Sequence, residues 1–292
     1  MAGVLPAFLL ESAFFLAVGF EATRVLFSRI SPPIVQSLLL WVSSFIPYLL
    51  VSLTAHTFDS HSLLVICGIS ALVSFWWVVF PRRLAFDIAF LCVAAAVIVV
   101  RLFSWLYLSP MPHFDIDVLG HLMWIRVTFL AFLVQRGFKV AGVGFWPHAR
   151  EWREGALQFS IAILPLSLIA VGLHVVKFAP QHLDAPLWIG LAAGYFAGTF
   201  LVVAFSEDIF RSIITEFFLQ RQKPVWVAVI ASALILGATH LGYRGFPNWG
   251  FALVGAIGHL FYTIAYVRAR SVRASMVAHA LTVVAWRMFF RS

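Results

Sequence analysis

Ten apolar stretches, most of them near 20 residues long, follow one another through this sequence. About 20 helical residues, at roughly 1.5 Å each, cross the roughly 30 Å hydrocarbon core of a bilayer. Inside that core every backbone N–H and C=O must be satisfied within the protein, which leaves helices or closed barrels. A barrel needs strict alternation over segments of about ten residues, and these runs do not alternate. The expected fold is all-α, a polytopic transmembrane helical bundle of about ten membrane helices. Composition agrees: 62% of the 292 residues are hydrophobic and 11% charged, against about 25% charge in a soluble domain.

The runs are expected at 5–27, 34–53, 63–80, 84–108, 118–134, 157–176, 187–219, 225–241, 251–267 and 274–290. Pro32-Pro33 separates the first two, and Ser109-Pro110-Met111-Pro112 breaks the fourth before a loop with His113, Asp115 and Asp117. The run 187–219 is too long for one untilted pass, so it is either one tilted helix or a helix broken near Ser206. The longest polar stretch, 135–154, is expected on the membrane surface. The first run lacks a basic leader and a cleavage site and reads as a membrane helix. The net charge of +8 sits in short loops, not on one face. Basic loops alternate with acidic or neutral ones, which fits ten passes with both termini outside and gives no nucleic-acid surface. Cys67 and Cys92 fall in apolar runs and read as buried thiols. Residues 1–176 carry few polar groups at depth and have no assigned function; 187–290 carry most of them.

Within the seventh run stands Phe205-Ser206-Glu207-Asp208-Ile209-Phe210-Arg211. Ionisable groups at bilayer depth are costly and mark pairing, a polar cavity or chemistry. On a helix Glu207 and Arg211 share a face at a spacing of four, and Asp208 reaches Arg211 at three. One reading is a charge pair that holds helices together. The other takes account of His240, His259 and His279 further along. A carboxylate, an arginine and two imidazoles on separate helices can hold a water, take its proton and stabilise an oxyanion. Counted along the helices from Arg221 and Lys223, Glu207 lies about 20 Å deep and His240 about 25 Å; His279 lies about 9 Å from Arg273. The sequence has no H-E-x-x-H, G-x-S-x-G, P-loop or dinucleotide fingerprint. Two histidines and an acid can also bind a metal, with low specificity at these spacings. No cofactor and no metal are expected.

Residues 201–283 resemble the CPBP intramembrane proteases, the CAAX-prenyl-protease or Abi family. The family's Glu-Glu-x-x-x-Arg is similar to Ser206-Glu207-x-x-x-Arg211, within Phe210-Arg211-Ser212. Its Phe-x-x-x-His is similar to Leu236-x-x-x-His240, with Gly237 in a position where the family has glycine. Its His-x-x-x-Asn is similar to His279-x-x-x-Val283. Residues 255–262 and 271–275 resemble its glycine-rich helix and the short loop before the last motif. Three positions depart from the pattern: Ser206 for the first glutamate, Val283 for the asparagine, and Leu236 for phenylalanine.

The resemblance implies an intramembrane endopeptidase of glutamic type with Glu207, Asp208, Arg211, His240 and His279 as its catalytic set. Glu207, with or without Asp208, would activate water. His240 and His279 would stabilise the tetrahedral intermediate, and Arg211 would charge-balance the acid. Membrane lipid and a peptide or membrane-protein substrate, prenylated or not, are the expected partners, in the cell (inner) membrane. Ser206 and Val283 favour the alternative, a catalytically inactive CPBP-like scaffold or immunity protein. Transport has little support, because the histidines are not in repeat-related segments.

Overall fold

The apolar runs do form helices, but several are shorter than the sequence suggests. The computed structural model describes residues 3–109 and 115–291. Pro110 to Pro112 and His113, in the expected break and loop, lie outside the described residues. The chain forms α1 (Val4–Ala17), α2 (Glu21–Ser28), α3 (Pro33–Thr54), α4 (Ser60–Ser74), α5 (Trp76–Val79), α6 (Leu84–Val99) and α7 (Leu102–Leu106). It continues with α8 (Val118–Leu130), α9 (Ala149–Gly172), α10 (Ala185–Gly198), α11 (Phe205–Leu219), α12 (Val225–Ala238), α13 (Trp249–Ala269) and α14 (Val272–Phe289). Wide π-turns at Ala131–Gln135 and Thr199–Ala204 follow α8 and α10 without a break, and a 3-10 turn at Thr239–Gly242 ends α12. Two short strands, β1 (Lys177–Phe178) and β2 (Phe290–Arg291), pair antiparallel.

The all-helical class holds. Among the described residues six helices are long and apolar enough to cross a membrane: Pro33–Thr54, Val118–Gln135, Ala149–Gly172, Ala185–Leu219, Val225–Gly242 and Trp249–Ala269. The first run yields a seventh only if α1 and α2, bent by 84° to one another, form one span. The third and fourth runs contain breaks at Phe75 and at Val100–Arg101, so α4 and α6 are shorter apolar helices. The seventh run is one helical body of 35 residues from Ala185 to Leu219. It is not broken at Ser206; it carries the π-turn just before α11.

Packing divides the chain into two units, 1–138 and 139–292. The functional division expected near Val176 is a different boundary, so α9 packs with the C-terminal helices. In the first unit α1, α3, α4 and α8 pack together. Glu11, which interrupts the first apolar run, pairs with Arg126 at 2.8 and 3.1 Å, and Arg126 also donates to Ser43 Oγ at 2.8 Å. Both charged groups are buried. The expected burial of both thiols is corrected: Cys67 is half-buried and Cys92 exposed. A lipid-facing position suits a small apolar side chain as well as a core one.

The second unit is built on α9, α13 and α14, which pack against one another, with α12 on α13 and α11 against α12 and α14. Glu151 joins the starts of two of these helices. It accepts from the His148 backbone at the head of α9, and from Ser271 Oγ and Arg273 at the head of α14, at 2.6, 2.5 and 3.0 Å. Glu154 takes Arg268 at 2.7 Å, and Glu216 takes the Tyr266 hydroxyl at 2.6 Å. Glu151 and Glu154 are buried, so the end of the polar stretch 135–154 packs against the helices of this unit.

Candidate active site

The site lies wholly in the second unit and draws on α11, the end of α12, α13 and α14. Helix α11 supplies the acids and the arginine. Asp208 and Arg211 are fully buried and bonded to each other. Arg211 also donates to Ser275 Oγ on α14, and its Nη1 lies 3.5 Å from His259 Nδ1 on α13. Arg211 is therefore the partner of Asp208, one residue on from the acid that the motif register pairs it with. Glu207 turns to the other side, with a side chain 34% exposed. Its Oε2 lies 3.8 Å from His259 Nε2 and 3.9 Å from His279 Nε2.

The histidines arrive from three separate elements. His240 stands in the 3-10 turn after α12, with Nδ1 2.9 Å from the Leu236 carbonyl. Two glycines make that position possible. A Cβ on Gly237 would lie 2.5 Å from Ala256 Cβ, so glycine lets α12 approach α13. A Cβ on Gly255 would lie 3.2 Å from the His240 ring. His279 on α14 sets its Nδ1 3.4 Å from Asp208 Oδ1 and stacks on Tyr262 at 4.6 Å and 13°. His259 stands between them, with ring centroids 5.4 Å from His240 and 5.9 Å from His279.

Glu207, Asp208, Arg211, His240 and His279 thus come together, although they lie up to 72 positions apart along the chain. His259, Ser275 and Tyr262 join them, although no family motif names these three. His259 was visible as an ionisable group inside an apolar run, the same signal that singled out Glu207. Ser275 and Tyr262 carry no such signal, since serine and tyrosine are ordinary in membrane helices. Of the three departures from the family pattern, Leu236 is buried in the core of this unit, and the other two make no polar contact across the site among the described residues. Ser206 Oγ donates to the Val202 and Val203 carbonyls of its own helix, both at 2.9 Å, and Val283 is half-buried.

Glu207, His240 and His259 each bring one ligand-capable atom within 4.8 Å of the other two. A metal fits that trio poorly. A neutral imidazole ligates through its bare nitrogen. A guanidinium only donates, so Arg211 requires His259 Nδ1 to be the bare one. Metal on Nε2 would put the ring proton on Nδ1, against the guanidinium.

Fold and site together define a multi-pass helical membrane protein with two acids, an arginine and three histidines converging in one helical unit. Residues 188–285, about a third of the chain, match the family model described as Type II CAAX prenyl endopeptidase Rce1-like. That match supports membership of the CPBP family, and it covers every residue of the site. Comparison with curated proteins and with solved structures finds no match.

Proposed function

We propose that this chain is an intramembrane endopeptidase of the CPBP type that hydrolyses a peptide bond at or within the membrane. The observation that carries the reading is the Glu207 carboxylate, open to its surroundings yet under 4 Å from two imidazoles. A water bound there gives a proton to Glu207 as its oxygen attacks the peptide carbonyl carbon. The carbonyl π-electrons move to oxygen, and the oxyanion needs a donor. Collapse breaks the C–N bond, and the proton held by Glu207 passes to the leaving amine. His240 and His279, with Nδ1 against a carbonyl and a carboxylate, turn Nε2 lone pairs toward the site when neutral. The water points one O–H at Glu207 and the other at one of these two lone pairs, which orients it for attack. Asp208, held by Arg211, stabilises His279 whenever that ring carries a second proton.

The substrate is a membrane-embedded or membrane-proximal peptide, prenylated or not, and the enzyme works in the cell membrane. Purified full-length protein in detergent, offered prenylated and transmembrane peptides, tests this. Glu207→Gln keeps the shape and removes the base, and turnover is expected to fall by about 100- to 10,000-fold. Equal turnover by wild type and Glu207→Gln overturns the role of Glu207. A second reading rests on Ser206, turned into its own helix, and on apolar Val283: an inactive relative serving as scaffold or immunity protein. A folded wild type that cleaves no peptide selects it.

A further inference from the structure

The three imidazoles of the site are not equivalent, because each Nδ1 meets a different kind of group. His240 Nδ1 faces a carbonyl oxygen and His279 Nδ1 a carboxylate oxygen. The carbonyl and the carboxylate only accept, and the Thr239 hydroxyl 3.3 Å from His240 Nδ1 gives its own proton to the Leu236 carbonyl at 2.6 Å, so both neutral rings carry their proton on Nδ1 and leave Nε2 bare. His259 Nδ1 faces the Arg211 guanidinium at 3.5 Å. That partner only donates, so Nδ1 accepts and the proton of the neutral ring sits on Nε2. An imidazolium there would turn an N–H against the guanidinium. His259 is consequently the one imidazole of the three that turns an N–H toward Glu207, with Nε2 3.8 Å from Oε2.

Three features hold that orientation. Arg211 is itself fixed by Asp208 and Ser275 in a fully buried position. The His259 ring packs edge-on to Tyr262 at 5.6 Å and 81°. Its side chain is 3% exposed, so the surrounding helices leave the ring little room to turn over. The 3.8 Å separation from Glu207 is longer than the 3.4 and 3.5 Å contacts that Asp208 and Arg211 make with the rings, and is too long for a direct hydrogen bond. A substrate oxygen beside Glu207 can therefore receive the Nε2 proton without displacing an existing bond.

We propose that His259 is a catalytic residue, a pre-oriented Nε2–H donor to the oxyanion formed beside Glu207, with its tautomer imposed by Arg211. The proposal rests on the peptidase reading for its function, but the tautomer can be measured without any turnover. Nitrogen-15 NMR of the full-length, histidine-labelled protein in detergent at neutral pH reads the protonated nitrogen of each ring. His259→Gln identifies the His259 signals. The expected result is Nε2–H at His259 and Nδ1–H at His240 and His279, with Arg211→Gln releasing His259 into a mixture of tautomers. In the peptide assay His259→Phe is expected to lower kcat by about 100- to 1000-fold, the usual worth of one oxyanion donor. KM should stay within about threefold, the pattern of an interaction made only in the transition state. His259→Gln, which keeps a neutral N–H, should recover at least about tenfold of the loss. Nδ1–H or an imidazolium at His259 overturns the proposal, and so does an unchanged kcat in His259→Phe. A wild type that cleaves nothing removes the peptidase reading and with it the donor role, even where the tautomer is as assigned.

Discussion

Asp208 and Arg211 show why single charged residues in this chain must be read with their partners. Both are fully buried, and Asp208 Oδ2 and Arg211 Nε make no hydrogen bond among the described residues. Such a pair adds little net stability, because desolvation offsets attraction, but removing one member leaves a buried charge alone. Asp208→Leu is expected to cost about 3–5 kcal/mol, and Arg211→Met a similar amount. The double change is expected to recover most of the loss, since it removes both charges together. Unfolding in detergent, run as a double-mutant cycle, measures this. Additive losses would mean that the two residues act independently. All three variants should lose peptidase activity, because His259 and His279 lose the groups that orient them.

At the scale of elements, the site depends on how closely α12 approaches α13. Gly237→Ala places a Cβ 2.5 Å from Ala256 Cβ and 2.8 Å from the Ala252 carbonyl oxygen. The helices must separate, at a cost of about 1–3 kcal/mol for overpacking, and His240 moves with the end of α12. A lower unfolding midpoint together with reduced turnover is the expected result; a variant with wild-type values for both would show that the contact is slack. The π-turn Thr199–Ala204 lies immediately ahead of Glu207. Such turns are concentrated at functional sites, and this one makes the long seventh run a single helix with a wide turn before the acids. Helix α14 is held at its head by Glu151, through Ser271 and Arg273, which sets the height of both Ser275 and His279.

For the whole molecule, helix length and composition decide which helices can cross the membrane. Among the described residues six pass on length and composition, and α4 and α6 are apolar but short. Cys92 lies within α6 and is exposed. With α6 embedded in lipid, a membrane-impermeant maleimide should leave Cys92 unlabelled in sealed or opened vesicles, whereas detergent with denaturant should expose it. Cys67→Ser leaves Cys92 as the single thiol for this experiment. Rapid labelling in opened vesicles would place α6 in water and lower the span count. The breaks at Phe75 and at Val100–Arg101 were hard to read from sequence, because the residues around them are as apolar as those within the helices.

The sequence by itself determined the class of fold and the third of the chain that holds the chemistry. Apolar length is a local property, and the bilayer turns it into helix directly. The motif acids, arginine and histidines were legible for the same reason, as ionisable groups in apolar surroundings. Partnership was decided by tertiary structure. Glu11 and Arg126 are 115 positions apart, and nothing in either run pairs them until the helices pack. The choice of Asp208 over Glu207 as the partner of Arg211 likewise depends on what else surrounds the guanidinium: Ser275 and His259 arrive from other helices and fix its direction. Tautomers follow the same logic. A histidine's protonated nitrogen is set by the group it meets across space, and spacing along the chain carries no information about that group.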